Sequence, residues 1–302
     1  MMLAAALALS ALPAGSAAAC VAIALSAADP PYVEAAQAIR DAVPSDCVVV
    51  VYDPEGLKDL GPSMLAENQI VIGIGSQAAQ RLAQMEIPRP VLHILLPAST
   101  YARLPRPRTE GAQISAVFID HPSERQIALL RLALPEWKRV ALISGEDSHA
   151  LARRLADSAV ASQLQVSSAT VSSSDQLFAA LQQVLPEPAA LFALPDAAIF
   201  NSYTIQNILL TTYRRHSPVI GFSAAYVRAG ALLGLYSTPT QIGSQAALQV
   251  ARVLRGERLL PPAHPIRFEV DVNQSVARSL GLDIRPGKQL AAELMRREGG
   301  GP

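Results

Sequence analysis

The sequence predicts an α/β protein of two lobes, each built on a largely parallel sheet with helices on both faces. Apolar runs of five or six residues, rich in Val, Ile and Leu, alternate with amphipathic segments along the chain, as expected for strands buried on both faces. Half of the 302 residues are apolar and only 17% are charged, so the chain can bury a large core. Its length exceeds that of one compact core, which favours two domains.

The first half of the chain reads as repeated strand–helix units. Its predicted strands are Val21–Leu25, Val48–Tyr52, Ile70–Ile74, Val91–Leu96 and Ile114–Ile119. Its predicted helices are Tyr32–Val43, a short one near Leu57–Glu67, Ala78–Met85 and Glu124–Leu134. A Pro- and Arg-rich loop, Thr100–Glu110, lacks the aromatic platform of a nucleic-acid site.

The strand–helix pattern restarts after Pro135 and predicts a second set of units. The strands of this set are Val140–Ser144, Val166–Val171, Ala190–Leu194, Val219–Phe222 and Ala231–Tyr236. The helices between them are Ser148–Ser162, Asp175–Leu185 and Ala197–Tyr213, followed by helix Gln241–Arg255, strand Ile266–Val270 and helix Asn273–Leu280. The elements near the end of the chain can pack against the first set of strands. Two Rossmann-like lobes with a cleft between them are therefore predicted.

The first 19 residues predict a secretory signal peptide. Met1–Ala19 carries no charge and ends on Ala17-Ala18-Ala19, the small-x-small pattern of a cleavage site. Met1-Met2 lacks the usual Lys or Arg, so a retained anchor or an upstream start codon are the alternatives. No later stretch reaches 18 uncharged apolar residues, so no later membrane span is expected. We therefore expect a mature protein in the periplasm.

The two cysteines, Cys20 and Cys47, allow two interpretations. Cys20 would be the first mature residue, as in a lipoprotein, but Ala17 stands where a lipobox usually has Leu. If the first two strands are parallel neighbours, both cysteines lie at the same end, within the roughly 5.5–6 Å Cα separation of a disulfide. An oxidising compartment would preserve that bond. The disulfide is therefore favoured over lipid anchoring at Cys20.

Several segments resemble those of a known family. The run Leu235–Gly243, with its Pro239-Thr240-Gln241-Ile242-Gly243, and the ending Val253–Gly256 resemble type I periplasmic binding proteins. The ABC-transporter substrate-binding family, whose branches include tryptophan- and tyrosine-binding proteins, is similar in further segments. These are Gly73–Ala79, Pro122–Pro135, Ala193–Asn201, Gly230–Leu232 and Asn273–Ile284. The resemblance covers essentially the whole mature chain and implies a type I periplasmic-binding-protein-like fold, a small-molecule ligand and an inner-membrane ABC permease as partner.

The resemblance also implies how the chain divides. One lobe would comprise residues 20–119 and 238–270, and the other residues 120–237 and 271–302. Three crossing segments, near Ile119–Asp120, Tyr236–Ser237 and Val270–Asp271, would form a three-segment hinge. A ligand bound between the lobes would favour the closed form, because only that form contacts it from both sides. We expect a monomer recognised by the permease or, as the alternative function, by a sensor kinase.

The ligand site is expected beyond the carboxyl ends of the strands, where open α/β sheets bind ligands. That rule selects eight candidate ligand-binding residues: Ser26, Gly75, Ser76, Gln77, Ser99, Asp196, Ser223 and Tyr236. Gly75-Ser76-Gln77 opens a helix whose free N–H groups favour a carboxylate, unless Ser76 is only a helix cap. Asp196 could receive an ammonium group or only cap the next helix. Tyr236 could stack on a flat ligand or only pack.

Two positions in this cleft depart from the family pattern. Leu96-Pro97 stands where the family often has Asp-Pro, and Ser223-Ala224 stands where it often has an acidic residue. Both positions lie where a ligand would be recognised. The aromatic amino-acid specificity is therefore not carried over, and the ligand is expected to be amino-acid-like or a carboxylate.

Other functional classes find little support in the sequence. Gly73-x-Gly75-x-x-Ala78 imitates a dinucleotide fingerprint but follows the third strand and lacks the acidic partner about 20 residues on. Gly221-Phe222-Ser223 imitates a nucleophile elbow, with His264 downstream, but the second Gly is absent, so a secreted hydrolase is a weak alternative. The histidines lack metal-ligand spacing, and zero net charge argues against nucleic acid. We expect no cofactor, no metal and no catalysis.

Overall fold

The computed structural model describes residues 19–108 and 111–299, which form two sheets. The first sheet has the order β2-β1-β3-β4-β5 and all its strands are parallel. Its strands are β1 (Ala19–Leu25), β2 (Val48–Tyr52), β3 (Ile70–Ile74), β4 (Val91–Leu96) and β5 (Ile114–Phe118). The predicted signal peptide, apart from Ala19, lies outside the described residues.

The second sheet has the order β11-β10-β9-β8-β6-β7, in which β11 alone is antiparallel to its neighbour. Its strands are β6 (Arg139–Ser144), β7 (Gln165–Thr170), β8 (Ala190–Phe192), β9 (Val219–Gly221), β10 (Leu233–Tyr236) and β11 (Glu269–Val272). The predicted fold class, two Rossmann-like α/β lobes of the type I periplasmic-binding-protein kind, is confirmed.

Helices cover the first sheet on both faces. The helices of the first half are α1 (Pro30–Arg40), α2 (Pro54–Asp59), α3 (Pro62–Leu65), α4 (Ser76–Ala83) and α5 (Ala98–Ala102). Proline opens α1, α2 and α3, at a position where a helix has no use for the missing N–H. The single short helix predicted near Leu57–Glu67 is therefore two helices, because Pro62 pushes Gly61 into an extended conformation.

The remaining helices are α6 (Ser123–Ala133), α7 (His149–Ala161), α8 (Leu177–Val184), α9 (Ile205–Arg214), α10 (Ala224–Ala229), α11 (Pro239–Leu254), α12 (Gln274–Ser279) and α13 (Gly287–Arg297). A single 3₁₀ turn, Ser174–Gln176, precedes α8. Helices α5, α10 and α13 were not predicted. The first two are five and six residues long, too short for a helical period to show.

The helix predicted at Ala197–Tyr213 begins only at Ile205. Side chains in the intervening segment bond to the local backbone and compete with helix formation. Asp196 Oδ1 accepts a hydrogen bond from Ala198 N, and Asn201 Oδ1 accepts one from Tyr203 N. Asp196 is thus not the N-cap of that helix, and residues 197–204 form turns at the end of the second sheet.

The strand predicted at Ile266–Val270 lies instead at Glu269–Val272 and pairs antiparallel with β10 of the second sheet. Ile266 is 69% exposed, whereas Phe268 and Val270 are buried. The alternation of buried and exposed residues that marks this strand thus begins later than the apolar run predicted. The strand order places the third passage between the sheets before residue 269.

Helix α11 packs on α1 and thereby covers the first sheet, although it follows the second sheet in sequence. Its Ile242, Ala246 and Val250 enter the core of the first lobe. Gly243 permits the close approach, since a Cβ there would lie 2.5 Å from Ala35 O. At the amino ends of the neighbouring strands β1 and β2, Cys20 and Cys47 form the predicted disulfide, with Cα atoms 5.5 Å apart.

Three chain segments connect the lobes and bond to one another. The first leaves the carboxyl end of β5 at Ile119–Asp120, and the second leaves β10 at Ser237; the third precedes β11. Ser237 Oγ donates to Arg267 O at 2.6 Å, and His264 Nδ1 donates to Asp120 O at 2.7 Å. The carboxyl ends of both sheets therefore lie beside the crossings. No helix within residues 19–108 and 111–299 has the length and apolar character of a membrane span.

Candidate functional site

The eight predicted ligand-binding residues fall on the carboxyl edges of the two sheets. The first edge, defined by Ser26, Gly75, Ser76, Gln77 and Ser99, follows the neighbouring strands β1, β3 and β4. The second edge, defined by Asp196, Ser223 and Tyr236, follows or ends the neighbouring strands β8, β9 and β10. The structure brings together the members of each edge, as parallel pairing requires.

Gly75 sets the geometry of the first edge. Its φ of 90° lies in the region that favours glycine, and its N–H donates to Ile94 O at 2.8 Å. A Cβ at this position would lie 2.5 Å from Tyr32 Cε1 and 2.6 Å from Ser26 Oγ. Only glycine therefore lets the chain turn from β3 into α4 beneath these two side chains.

The amino end of α4 is only partly capped. Ser26 Oγ accepts a hydrogen bond from Ala78 N at 2.9 Å, so this buried serine stabilises the first turn from outside the helix. Within the described chain, the backbone N–H groups of Ser76 and Gln77 donate no hydrogen bond. Ser76 is half-buried and Gln77 is exposed. Two free N–H groups at a helix amino end form a place where an anion is stabilised.

Asp120 connects the first edge to the first crossing. Its Oδ1 accepts a hydrogen bond from Ala98 N at 2.7 Å, which fixes the start of α5 and hence the position of the half-buried Ser99. Asp120 is buried, and this desolvation raises the pKa of its carboxyl, against the opposing effects of Ala98 N–H and His264. From the sequence, Asp120 was expected at a helix start and in the first crossing segment, but not among the candidate ligand-binding residues.

Asp196 on the second edge is satisfied by its own lobe. Its Oδ2 accepts hydrogen bonds from Ser148 Oγ at 2.7 Å and from Gly145 N at 3.2 Å. A Cβ at Gly145 would lie 2.7 Å from this oxygen, so glycine permits the contact. With Oδ1 bonded to Ala198 N, the carboxylate holds the loops after β6 and β8 in place.

A groove of about 600 Å³ opens beside Asp196, at the carboxyl ends of β6, β7 and β8. Polar side chains line it, among them Glu146, Asp147, His149, Thr170 and Ser172. Arg103, at the end of α5, reaches from the first lobe to Asp147, with its guanidinium nitrogen 2.8 Å from the carboxylate. This exposed ion pair joins the two lobes at the rim of the groove.

Ser223 and Tyr236 also have partners within their own lobe. Ser223 Oγ accepts a hydrogen bond from Tyr226 N at 3.3 Å and so caps α10. The Tyr236 hydroxyl donates to Asp271 Oδ2 at 2.6 Å, and burial together with that carboxylate raises the pKa of the phenol. His264 Nδ1 bonds to Asp120 O, and no hydrogen bond joins His264 to Ser223 in the described chain, so the pairing that a hydrolase would need is not formed.

A small cavity of about 20 Å³ lies between the first crossing and the ends of β8, β9 and β10. Its lining includes Asp120, His121, Gln126, Pro195, Phe222 and Leu235. Applying the strand-end rule to β5 would have selected Asp120, which stands two residues after that strand. From the sequence, His121 could have capped a helix or lined the cleft, but a solvated or hydrogen-bonded structural role was favoured. Among the described residues, no group of three or more His, Cys, Asp or Glu side chains is arranged to hold a metal ion.

Two Rossmann-like lobes joined by three crossings, with polar groups on the carboxyl edges of both sheets, define the class of two-lobed binding proteins. The family model for ABC transporter substrate binding proteins matches residues 63–287, and the chain belongs to that family. The family implies a small-molecule ligand and an ABC permease as partner. Comparison with curated protein sequences gives no match.

Solved structures share the fold at low sequence identity. A conserved domain protein from Vibrio cholerae aligns with a TM-score of 0.65 and 21% identity, over 89% of this chain and 96% of that one. An ABC domain from Streptococcus pneumoniae in complex with L-Trp gives 0.63 and 17%, over 89% and 96%. A ligand-free, open substrate binding protein with adhesive properties from Clostridium difficile gives 0.72 and 14%, over 88% and 95%.

Proposed function

We propose that this protein is the periplasmic solute-binding component of an ABC-type uptake system. It captures a small amino-acid-like or carboxylate solute between its lobes and presents the closed form to an inner-membrane permease. Family membership supplies the class of function. The observation that carries the choice of ligand is the amino end of α4, where Ser76 and Gln77 offer backbone N–H groups without an acceptor in the described chain.

The proposed lobes follow the division expected from the sequence, with the third crossing placed before β11. Residues 20–119 and α11 form one lobe, and residues 120–237 and the chain from β11 onward form the other. A ligand that bonds to both edges stabilises the closed form relative to the open one by its differential affinity. The Arg103–Asp147 ion pair already spans the lobes and lies at the rim of the groove that closure would cover.

The periplasmic location rests on two features of the amino-terminal region. Met1–Ala19 has the composition of a signal peptide, and the Cys20–Cys47 disulfide requires an oxidising compartment to persist. A disulfide also occupies the thiol that a lipid anchor at Cys20 would need. The mature chain is proposed to act as a soluble monomer.

In the bound state, the solute's carboxylate accepts hydrogen bonds from Ser76 N and Gln77 N. Gly75 places these groups, and Ser26 holds the helix turn behind them. Ser99 lies beside them on α5. Asp196, Ser223 and Tyr236 form the opposite wall, where their internal bonds keep the loops of the second edge in a defined shape.

A thermal-shift screen of amino acids and small carboxylates on residues 20–302 tests this function. A ligand present at about 100 times its Kd stabilises the folded protein by about 2.7 kcal/mol, which raises the melting temperature measurably. Small-angle scattering with each active ligand then measures whether the radius of gyration falls on closure. The absence of any shift across the panel, with the protein folded, would overturn the proposal.

A pair of substitutions at Ser76 tests the carboxylate subsite. Ser76 is the first residue of α4, where proline removes the N–H while remaining compatible with the helix, as at the starts of α1, α2 and α3. Losing one charge-assisted hydrogen bond of about 1.5–3 kcal/mol should weaken binding by Ser76→Pro on the order of 10- to 100-fold. Ser76→Ala keeps the N–H and should bind nearly as the wild type. Equal losses in both variants would assign recognition to the hydroxyl instead.

A further inference from the structure

Two residues that line the small cavity at the first crossing each have a buried polar atom without a partner in the described chain. These are Asp120 Oδ2 and His121 Nε2, and each of the two residues is only 5% exposed. Both residues line the cavity, whose other walls are mostly apolar. Gln126, a further polar wall residue, already donates its amide to His121 O at 3.1 Å. Unpaired buried groups of this kind are costly unless something binds to them.

Arg125 determines which ring nitrogen of His121 carries the hydrogen. One of its guanidinium nitrogens lies 3.0 Å from His121 Nδ1. A guanidinium group only donates, so Nδ1 must accept, and in a neutral ring the hydrogen then sits on Nε2. Burial, with a contribution from Arg125 and His264, lowers the pKa of His121 to about 3 and so keeps the ring neutral. His121 therefore offers the cavity an N–H donor.

Asp120 offers the same cavity an acceptor. Its Oδ1 is bonded to Ala98 N, whereas its Oδ2 lies 3.7 Å from His264 Nδ1, beyond hydrogen-bond distance. That His264 nitrogen is already bonded to the Asp120 carbonyl at 2.7 Å. The unused lone pairs of Oδ2 are therefore available to a donor in the cavity.

A donor beside an acceptor selects the chemistry of the occupant. An ammonium group cannot accept from His121 Nε2–H, and a carboxylate cannot donate to Asp120 Oδ2. A hydroxyl group does both through one oxygen, and a cavity of about 20 Å³ has room for one water-sized group. We propose that the cavity is a subsite for a hydroxyl group of the bound solute. This inference rests on the proposed function and makes the ligand a hydroxylated amino acid or hydroxy acid.

Arg125 is the positioning residue of this subsite. It donates two hydrogen bonds to Glu298, at 2.7 and 2.8 Å, and one to Pro265 O at 2.7 Å. Its guanidinium carbon lies 4.5 Å from the centre of the Phe268 ring. The arginine is thus held by the third crossing and by the residue that ends α13, and it fixes the His121 ring through Nδ1.

Matched pairs of solutes test the subsite, with titration calorimetry on residues 20–302 after the thermal-shift screen. The probes are L-serine with L-alanine, L-threonine with L-2-aminobutyrate, L-tyrosine with L-phenylalanine, and lactate with propionate. For the pair that binds, the hydroxylated member should have at least about a 10-fold lower Kd, since its absence leaves two buried groups unpaired. Equal affinity of both members would overturn the inference while leaving the proposed function intact.

Variants at the cavity then separate a solute hydroxyl from a resident water. His121→Phe removes the donor, and Asp120→Asn replaces the acceptor with a donor while it can still accept from Ala98 N. Both should reduce the ratio of the two Kd values to within about 2-fold, and His121→Gln, which keeps an N–H, should restore part of it. Asp157→Asn, on the exposed face of α7, is the control.

A resident water would give a different pattern. Both members of the pair would then lose affinity by the same factor in His121→Phe, and their ratio would equal that of the wild type, which overturns the inference. If circular dichroism shows that His121→Phe does not fold, the ratio of the two Kd values in the wild type and in His121→Gln tests the subsite instead. A protein that binds no probe at all contradicts the proposed function and not the subsite alone.

Discussion

The two carboxyl edges are built in opposite ways. On the first edge, Gly75 and Ser26 hold the start of α4 so that two backbone N–H groups remain free. On the second edge, the polar side chains bond to their own lobe, as Asp196 does with Ser148 and Gly145. Under the proposed function, the first edge is thus the one that bonds to a ligand, whereas the second edge keeps its own loops in place.

This difference separates the groups that would contribute to ligand affinity from those that contribute to folding stability. Backbone donors fixed by a glycine turn need no rearrangement to meet an anion, so they add affinity at little ordering cost. A buried carboxylate with several internal donors adds stability, and removing it leaves those donors unpaired. Substitutions on the first edge should therefore reduce ligand binding, together with stability where they disturb the Gly75 turn, whereas those on the second edge should act on folding alone.

Gly75→Ala should have the largest effect. The new Cβ would meet Tyr32 and Ser26, and the residue would also hold a positive φ, so the two costs together should exceed about 3 kcal/mol. Urea unfolding measures the loss, and solute binding should disappear with it. Gly256→Ala is the matched control, because Gly256 has a φ of 81° but no heavy atom within 4 Å of a Cβ. Equal losses in both variants would mean that the close contacts at Gly75 do not matter.

The interior of the first lobe contains a buried histidine whose ring nitrogens have no partner in the described chain, in contrast to the internally bonded polar groups of the second edge. His93 is fully buried, and neither ring nitrogen has a partner in the described chain. Burial lowers its pKa to about 4, below the ordinary value of 6.5. The unfolded chain therefore binds more protons between these values, so the contribution is complete above pH 6.5 and is lost as the pH falls toward 4.

His93→Phe should remove this acid sensitivity. By pH 4 the wild type should have lost up to about 3 kcal/mol relative to the variant, and near neutral pH the variant should be as stable or more stable. Urea unfolding of both proteins across this pH range gives the difference directly. The exposed His216→Gln is the control. A constant difference at all pH values would contradict the assignment to His93.

Asp196→Ala should destabilise the second edge by about 2 kcal/mol, because Ser148 Oγ and Ala198 N lose their acceptor, although Gly145 N can still donate to Ser148 Oγ. Ser148→Ala should cost only about 1 kcal/mol, since Gly145 N keeps its bond to Asp196. Thermal unfolding without ligand measures both. If Asp196→Ala instead left stability unchanged and abolished solute binding, Asp196 would be a ligand contact and the contrast between the edges would fail.

Arg103→Ala should have the smallest effect. The Arg103–Asp147 pair is exposed, and such pairs contribute less than about 1 kcal/mol. A double-mutant cycle with Asp147→Ala, measured as solute affinity at low and high salt, isolates the pair. We expect a coupling that weakens with salt. A salt-independent loss larger than about 10-fold would show that these side chains contact the solute itself.

Much of the fold was predictable because its central strands are buried on both faces. Near-continuous apolar runs such as Ile70–Ile74 and Val91–Leu96 stand out in the sequence, and parallel pairing of β1 with the edge strand β2 then explains the Cys20–Cys47 disulfide. Helices were predicted where an apolar period spans several turns, as in α11. The first edge followed from the same logic, since Gly75 and Ser76 come directly after a buried strand.

The failures share a physical cause. The turns after Asp196 depend on side-chain bonds to the local backbone, which compete with a helix that the apolar pattern alone favours. The pairing of β11 with β10 depends on which residues of the third crossing find room in the second core. Neither follows from the apolar pattern alone.

The local apolar pattern specified the alternation of strands and helices and the approximate carboxyl end of each parallel strand, and therefore the edges where a ligand could bind. Local apolar periodicity and strand-end chemistry are sufficient for that. Only the tertiary structure decided that Asp120 and His121 line a cavity with the ends of β8, β9 and β10, while Arg125 holds the histidine. The reason is that this cavity forms where the crossings meet, from segments far apart in the chain, and burial there leaves one donor and one acceptor without a partner in the described chain.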